Sequence, residues 1–280
     1  MKMGFLFTSE SVSEGHPDKV SDQISDAILD EFLRRDANSK VACETLCTTG
    51  LVVVAGEVRS EAYVDVQGVA RRVINRIGYT RSEYQFDGNS CGVLSAIPEQ
   101  SPDINQGVVR AAEEEQGAGD QGIMFGYATR ETASRLPYAF DVANRIIAAL
   151  EDDADNNPDT ILKGDAKTQV TIDLDTGEIV TVVVSVCHKE GCELDEVQHY
   201  VLALVGDECI CDDWIINPAG TWTVGGAEAD CGLTGRKIVC DQYGGFCRVG
   251  GGAFSGKDPS KVDRSASYMA HRIACDLLEK

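Results

Sequence analysis

Apolar residues recur every three or four positions in five stretches of the chain, and this period predicts five helices. In the first stretch, residues 18–35, the apolar face contains Val20, Ile24, Ile28 and Phe32. The other four predicted helices cover residues 66–79, 138–150, 193–205 and 258–280. The last is predicted to begin at Asp258, with Pro259 in its first turn.

Runs of β-forming residues lie between these helices in a recurring order. Two such runs flank Thr49 and Gly50, which predicts an antiparallel hairpin, and a second hairpin is predicted over residues 167–186 with its turn at 175–177. The leading helices begin near residues 18, 138 and 258, which is about 120 residues apart each time. We therefore predict an α+β fold of three similar units, of which the third contains only its first helix.

Two segments have the composition of loops. Residues 151–164 are acidic and rich in turn-forming residues, so we predict an exposed linker there. Residues 98–126 contain many glycines and few periodic apolar positions. Long loops of this kind often act as active-site lids, although simple disorder gives the same pattern.

The chain of 280 residues is strongly acidic, with 25 Lys and Arg against 46 Asp and Glu and a formal net charge of −21. This balance argues against nucleic acid or an anionic membrane as a bulk partner, because both favour basic surfaces. The sequence shows no apolar run of membrane-spanning length and no signal-peptide pattern, so we expect a soluble cytoplasmic protein. The 11 cysteines include no C-x-x-C pair, and we expect reduced thiols, many of them buried.

One glycine-rich stretch is a candidate anion site. Residues 251–258 read G-G-A-F-S-G-K-D, which misses the phosphate-loop pattern G-x-x-x-x-G-K-[ST] only at Asp258. Lys257 and Lys261 would lie on one side of the predicted helix start, where anions are favoured. Asp258 and Asp263 could recruit the Mg²⁺ that accompanies a polyphosphate. A glycine-rich turn before a charged helix is the other reading, and the stretch alone leaves both open.

Two further clusters are candidate anion-binding groups, and the glycine-rich stretch strengthens that interpretation. Arg236 and Lys237 follow several glycines and Asp230, an arrangement that suits a second anion clamp. His16 lies between Gly15 and Pro17 at a predicted helix start. A histidine held there can donate a hydrogen bond to a developing oxyanion, or it can simply cap the helix.

Eight motifs, taken together, resemble those of the S-adenosylmethionine synthetase (methionine adenosyltransferase) family. They run in the family's order and read SEGHPDK, VACET, FDGNSC, QSPDINQG, GAGDQGIMFGYAT, DAKTQV, DCGLTGRK and GGGAFSGKDPSKVDRS. The resemblance implies three similar α+β units around a pseudo-threefold axis, interleaved in space and covering residues 1–103, 114–222 and 223–280. It also implies a homodimer or a dimer of dimers, with active sites at the subunit interface.

The resemblance further implies a reaction and its cofactors. In the family, the methionine sulfur attacks C5′ of ATP and expels tripolyphosphate, which is then hydrolysed to pyrophosphate and phosphate. A thioether needs no deprotonation, so such a site needs cations and fixed donors for the leaving group more than a strong base. Mg²⁺ and K⁺ are the implied cofactors.

The motifs carry the family's site residues over to this sequence. They assign catalysis to His16, Lys167, Arg236, Lys237 and Lys257. They assign ATP binding to these five and to Asp120, Asp165, Trp222, Asp230 and Ala253. They assign methionine binding to Glu57, Gln100, Asp230 and Lys261, Mg²⁺ binding to Asp18 and Asp263, and K⁺ binding to Glu44. Residues 99–108 correspond to a gating loop.

One departure concerns the adenine site, because Thr221 and Trp222 stand where the family usually has Arg and Phe. The larger ring can still stack on adenine. Two alternatives to the enzyme remain. The first is a catalytically weak or silent homologue that acts as an interaction subunit, and the second is a phosphate-loop kinase or ATPase.

Overall fold

The computed structural model describes residues 4–98 and 117–280. In chain order the elements are β1 (Leu6–Val12), α1 (Pro17–Arg35), β2 (Lys40–Thr48), β3 (Leu51–Arg59), α2 (Val66–Arg76), β4 (Gly92–Ala96), α3 (Tyr138–Asn156), β5 (Leu162–Asp173), β6 (Ile179–His188), α4 (Leu194–Val205), β7 (Trp214–Ile216), β8 (Gly232–Leu233) and α5 (Val262–Leu278). Single 3₁₀ turns lie at Ser82–Tyr84, Gly206–Glu208 and Gly226–Glu228.

These elements form two compact units, each built from separate chain segments. Unit one takes the described residues of Met1–His16, Tyr127–Gly226 and Val239–Cys247. Unit two takes those of Pro17–Gly126, Ala227–Ile238 and Arg248–Lys280. The three sequence intervals predicted above remain a prediction beside this division.

In the described residues each unit contains one four-stranded mixed sheet, and the strands of the two sheets have the same arrangement. The order is β1-β5-β6-β7 in unit one and β8-β2-β3-β4 in unit two. In both, an edge strand pairs antiparallel with a hairpin, and the second hairpin strand pairs parallel with the strand that follows the next helix. The helix–hairpin–helix repeat predicted from the sequence is therefore present as a structural repeat, and the mixed α/β fold is confirmed.

Helices cover one face of each sheet and enclose a separate core. In unit one, α3 and α4 supply the buried residues Ile146 and Val201, which pack with Val184 of β6. In unit two, Ile24 of α1 and Ile74 of α2 are fully buried beside Val54 of β3. The opposite face of each sheet has the more exposed positions, which alternate with buried ones along the strands. That open face is where several predicted site residues lie.

Two predicted boundaries are wrong. The segment 151–164 is no linker, because α3 continues to Asn156 and β5 begins at Leu162. Its acidic residues extend the exposed side of the helix, and Asp153 is a buried acceptor that bonds Thr160. The last helix begins at Val262 instead of Asp258, because Asp258 uses its carboxylate in a turn before the helix.

Three further predictions concern the long loop, the cysteines and membrane-spanning helices. The described part of the long loop, residues 117–126, forms no helix or strand, as predicted, whereas residues 99–108 lie outside the described residues. All 11 cysteines lie in the described residues as thiols outside any disulfide, and four of them are buried. Burial raises the pKa of the Cys43 and Cys47 thiols to about 12, so these two stay protonated at neutral pH. Within the described ranges, no helix has the length and apolar composition of a membrane span.

Candidate active site

In unit one, the residues before His16 are fixed against β5. The Ser13 hydroxyl donates to the carbonyl of Gly164 at 2.6 Å and accepts the Ala166 N–H at 2.8 Å. A side chain at Gly15 would clash with the Gly164 carbonyl, since a Cβ there would lie 2.3 Å from its oxygen. Ser13 and Gly15 thus allow the chain to pack directly against β5 where its register with β6 shifts. His16, the next residue, is only 2% exposed.

The other predicted site residues of unit one have distinct surroundings. Lys167 is exposed on the open face of the sheet, opposite Val12 of β1 and Ser185 of β6. Asp165 is buried, and its carboxylate accepts the Gly226 N–H at 2.7 Å. This contact fixes the turn that follows Trp222.

Trp222 is held at both its backbone and its ring. Its main-chain N–H donates to Nε2 of the buried His188 at 3.0 Å, and its carbonyl accepts the His188 N–H at 2.9 Å. The indole N–H donates to the Val224 carbonyl at 2.6 Å. The ring is partly exposed and fixed in orientation, as a stacking platform requires.

In unit two, three predicted site residues share the open face of the sheet. Lys257 forms an antiparallel bridge with Ala42 of β2, which pairs on its other side with Glu57 of β3. Residues directly opposite each other on neighbouring strands point to the same face, so Lys257 and Glu57 lie on one side. Glu44 follows Ala42 by two residues and shares that face.

Asp18 meets both members of the Arg-Lys pair. Its carboxylate is 1% exposed and lies 2.5 Å from Lys237 Nζ and 3.7 Å from Arg236 Nε. It also accepts the Leu233 N–H at 2.9 Å. The first turn of α1 therefore brings together a predicted metal ligand and two predicted phosphate ligands.

A second pair joins a lysine and a carboxylate beside the glycine-rich run. Lys257 Nζ lies 2.7 Å from Asp263 Oδ2, the two side chains being 19% and 32% exposed. A side chain at Gly252 would displace the Asp263 carboxylate, because a Cβ there would lie 2.1 Å from Asp263 Cγ. Gly235 of the Arg-Lys loop lies equally close to Ala253, since a Cβ at Gly235 would lie 2.4 Å from the Ala253 Cβ. The two cation-bearing loops are therefore neighbours.

Asp258 does not have the metal role considered for it from the sequence. It is 1% exposed, and its carboxylate accepts the Val41 N–H at 2.7 Å, the Ser260 N–H at 2.9 Å and the Lys261 ammonium at 2.6 Å. Asp258 thus anchors the loop to β2. Because α5 begins at Val262, Lys261 is its N-cap residue and Lys257 lies four residues earlier in the loop. The two lysines pair with separate carboxylates, Lys257 with Asp263 and Lys261 with Asp258.

These contacts control the ionisation of Asp258. Burial opposes the charged form, but the hydrogen bonds from Lys261, Ser260 and Val41 outweigh it and hold the pKa below the ordinary value. A lowered carboxyl pKa stabilises the fold above the unfolded-state pKa of about 3.9, and this contribution disappears as pH falls through the folded-state pKa.

We expect Asp258→Asn to lower the free energy of unfolding by about 2–3 kcal/mol at pH 7, because a buried acceptor and the partner of Lys261 are lost. Urea unfolding at several pH values measures this difference. It should shrink as the pH falls below about 3.9, because the carboxylate of the unfolded chain then takes up a proton before the native carboxylate does. A difference that stays constant down to pH 3 would contradict the assignment.

Three predicted site residues remain, of which two are exposed and one lies outside the described residues. Asp120 and Asp230 are exposed, and each carboxylate accepts the N–H of the following residue. Gln100 lies outside the described residues. Sequence reasoning missed Asp22, Asp26 and Arg264, although the four-residue spacing of the first two after Asp18 was a signal that could have revealed them.

The carboxylates fit Mg²⁺ in chemical type and number. Among the described residues there is no group of three or more His, Cys, Asp or Glu side chains that could hold a metal ion. Mg²⁺ bound with a polyphosphate needs no such cage, because one or two carboxylates and the phosphate oxygens suffice. Asp18 and Asp263 each offer hard oxygen atoms next to a lysine. Glu44 offers one exposed carboxylate for K⁺.

The glycine-rich run is not a phosphate loop. Such a loop joins a strand directly to a helix, with its lysine at the helix start. Here the described chain between β8 and α5 contains no named strand or helix, and α5 begins five residues after Lys257. The kinase or ATPase alternative therefore loses its structural basis.

Comparison with known proteins decides the family. The domain profiles of S-adenosylmethionine synthetase match residues 4–102 (N-terminal domain), 115–222 (central domain) and 224–280 (C-terminal domain). The chain belongs to the S-adenosylmethionine synthetase family. Every predicted site residue falls within one of these three matched regions.

Relatives named S-adenosylmethionine synthase match almost the whole chain. The protein of Parabacteroides distasonis is 54% identical over 311 residues, and that of Flavobacterium johnsoniae is 52% identical over 297. Each alignment covers 99% of this chain, but 72% and 71% of the two relatives. The protein of Porphyromonas gingivalis is 52% identical with similar coverage.

Proposed function

We propose that this chain synthesises S-adenosylmethionine from ATP and L-methionine, in the cytoplasm. The observation that carries the proposal is the pairing of a cation with a carboxylate at two neighbouring loops, Lys237 with Asp18 and Lys257 with Asp263. A magnesium polyphosphate is complementary to such pairs, since its oxygens suit the ammonium groups and its metal suits the carboxylates. Membership of the family supports the choice of reaction.

In the proposed reaction, the methionine sulfur forms a bond to C5′ of ATP while the bond from C5′ to the triphosphate oxygen breaks. The sulfur lone pair needs no base, so the chain's main task is to hold the departing triphosphate. Arg236, Lys237 and Lys257 bind its oxygens, and His16 donates to the oxygen that leaves C5′. The same cations then retain tripolyphosphate for hydrolysis to pyrophosphate and phosphate.

The proposal gives the other predicted residues their roles in binding. Lys167 contacts the phosphates from the open face of its sheet, Trp222 stacks on adenine and Asp120 holds the ribose. Further ATP contacts are assigned to Asp165, Asp230 and Ala253. Methionine is positioned by Glu57, Gln100, Asp230 and Lys261.

Asp18 and Asp263 would hold Mg²⁺, and Glu44 would hold K⁺. Mg²⁺ bound there would neutralise negative charge that develops on the triphosphate oxygens. The chain's own part is to present Asp18 and Asp263 within reach of the same anion as Lys237 and Lys257.

The test is direct synthesis. Purified protein is incubated with ATP, L-methionine, Mg²⁺ and K⁺, and S-adenosylmethionine, pyrophosphate and phosphate are quantified by chromatography. Product that depends on both substrates supports the proposal. A folded protein that forms no product, alone or at high concentration, would contradict it and leave the interaction-subunit alternative.

We also propose a homodimer formed through the open sheet face of unit two. Leu46 of β2, Val53 of β3 and Leu94 of β4 lie in register across that face, and Leu233 of β8 continues the row. Leu94 is 57% and Leu233 38% exposed. An apolar row across four strands favours a second copy of the same face, because an isologous contact buries it on both subunits.

We expect Leu94→Asp to shift the protein from dimer to monomer, since a carboxylate would be buried within that contact. Light scattering after gel filtration gives the mass of each species. Leu174→Asp is the control, because Leu174 is also exposed but lies beside the hairpin turn of unit one. A monomeric wild type, or a dimer that survives Leu94→Asp, would contradict the proposed interface.

A further inference from the structure

Three aspartates follow one another at four-residue intervals along α1, and each accepts a main-chain hydrogen bond from a glycine-rich loop. Asp18 accepts from Leu233, Asp22 from Gly235 and Asp26 from Gly256, with all three distances at 2.9 Å. Residues four apart lie on the same helix face, so the carboxylates form a ladder along α1.

The second and third steps of the ladder hold the residues immediately before the cations. Gly235 precedes Arg236 and Lys237, and Gly256 precedes Lys257. Both glycines have a left-handed backbone, with φ of +78° and +77°. Their amides therefore set the direction in which the following side chains leave the loop.

Asp26 is linked to Lys257 by a second route. Its Oδ1 also accepts from the Arg264 guanidinium at 2.7 Å, and that guanidinium donates to the Lys257 carbonyl at 3.4 Å. Burial opposes the charged form of Arg264, but its hydrogen bond to Asp26 outweighs this and raises its pKa. Asp26 thus holds the chain on both sides of Lys257, directly at the Gly256 N–H and through Arg264 at the Lys257 carbonyl.

Asp22 is similarly enclosed. Its carboxyl is 2% exposed, with Oδ1 on the Gly235 N–H and Oδ2 3.2 Å from Lys19 Nζ. Neighbouring hydroxyls tie the same loop down, since Thr234 Oγ1 accepts the Thr45 N–H at 2.9 Å and lies 2.8 Å from Ser25 Oγ. The Gly235 amide has a fixed position relative to the axis of α1.

We propose that Asp22 and Asp26 are positioning residues, which set the spacing between the Arg236–Lys237 pair and Lys257 by holding the Gly235 and Gly256 amides to one helix. The identity of the bound polyphosphate rests on the proposed function, but the positioning does not. Charge-assisted hydrogen bonds are about twice as strong as neutral ones, which suits carboxylates to this task. Misplacing a binding group by about 1 Å can cost on the order of 10²-fold in rate.

Asparagine variants separate the hydrogen bond from the charge. In Asp26, one oxygen, Oδ1, accepts from both Gly256 and Arg264, and in Asp22 the Oδ1 atom accepts from Gly235. An asparagine oxygen can take over these bonds, whereas alanine removes them. Asp30 is the matched control, since it lies one turn further along α1 at the same spacing but is exposed.

The experiment measures binding of magnesium tripolyphosphate by calorimetry, together with steady-state kinetics. For Asp22→Ala and Asp26→Ala we expect about tenfold weaker binding and a fall of about 10²-fold in kcat/KM for ATP. The KM for methionine should change less than twofold. Asp22→Asn and Asp26→Asn should stay within about threefold of the wild type, and Asp30→Ala should match it.

Asp26→Glu adds a variant that keeps the charge but displaces the acceptor. We expect its binding to weaken as in Asp26→Ala, which decides the matter if the alanine variants do not fold. The proposal is overturned if folded alanine variants bind like Asp30→Ala, or if the asparagine variants lose as much affinity as Asp26→Glu. Wild-type protein that binds tripolyphosphate but forms no S-adenosylmethionine would refute the proposed function alone, because the binding series still tests the positioning.

Discussion

Lys257→Met is expected to lower kcat/KM for ATP by about 10²–10³-fold with little change in stability. Lys257 pairs with Asp263, and its carbonyl accepts a hydrogen bond from Arg264, the partner of Asp26. In the proposed reaction its ammonium group binds oxygens whose negative charge grows as the bond to C5′ breaks. Methionine keeps the apolar stem of the half-buried lysine and removes only the ammonium group. Asp263 loses its partner but is 32% exposed, so water can solvate it.

The measurement is initial rates of S-adenosylmethionine formation at varied ATP, with thermal unfolding recorded in parallel. Lys40→Met is the control, because Lys40 lies on β2 on the same sheet face, two residues before Ala42. That variant should retain the wild-type rate. A Lys257→Met protein within threefold of the wild type, or an equal loss in Lys40→Met, would show that the effect belongs to the face as a whole.

Periodicity predicted the elements well because local burial determines them. The face of α1 that contains Ile24 and Ile28 is the face that packs, and the turn at Thr49 and Gly50 joins β2 to β3 as expected. What periodicity could not give is the pairing of β1 with β5 and of β8 with β2, across more than 140 residues of sequence. Those contacts join segments that are distant in sequence, so each of the two units takes residues from separate parts of the chain.

In the candidate site, too, the sequence indicated the residues but not their contacts. The motifs indicated which charged residues matter, but they did not indicate that Lys237 pairs with Asp18 or Lys257 with Asp263. The start of the last helix was misplaced at Asp258 because Pro259 and the acidic residue are typical of a first turn. The Asp258 carboxylate accepts main-chain hydrogen bonds from Val41 and Ser260, which override that preference. A contact as distant in sequence as that with Val41 leaves no periodic trace.

Two glycines of the glycine-rich run, Gly251 and Gly256, differ in the space around them, and substitutions there predict the second large effect. Gly256 has φ +77°, and a Cβ built on it would lie 1.9 Å from the Cys43 carbonyl oxygen. Gly251 has φ +96°, and a Cβ there would meet nothing within 4 Å. Alanine at Gly251 therefore adds only backbone strain, whereas alanine at Gly256 adds strain and forces the loop away from β2.

For Gly256→Ala we expect the free energy of unfolding to fall by about 2–4 kcal/mol and the rate of S-adenosylmethionine formation to fall more than about 100-fold. The main-chain bonds that flank Lys257, from Cys43 N–H to Gly256 and from Asp258 N–H to Val41, cannot both survive a shift of the loop. Gly251→Ala should cost about 1–2 kcal/mol and leave the rate within a few fold. Urea unfolding and rate measurements on both variants test the contrast. Equal losses at the two glycines would mean that flexibility of the run, and not its contact with β2, is what the reaction requires.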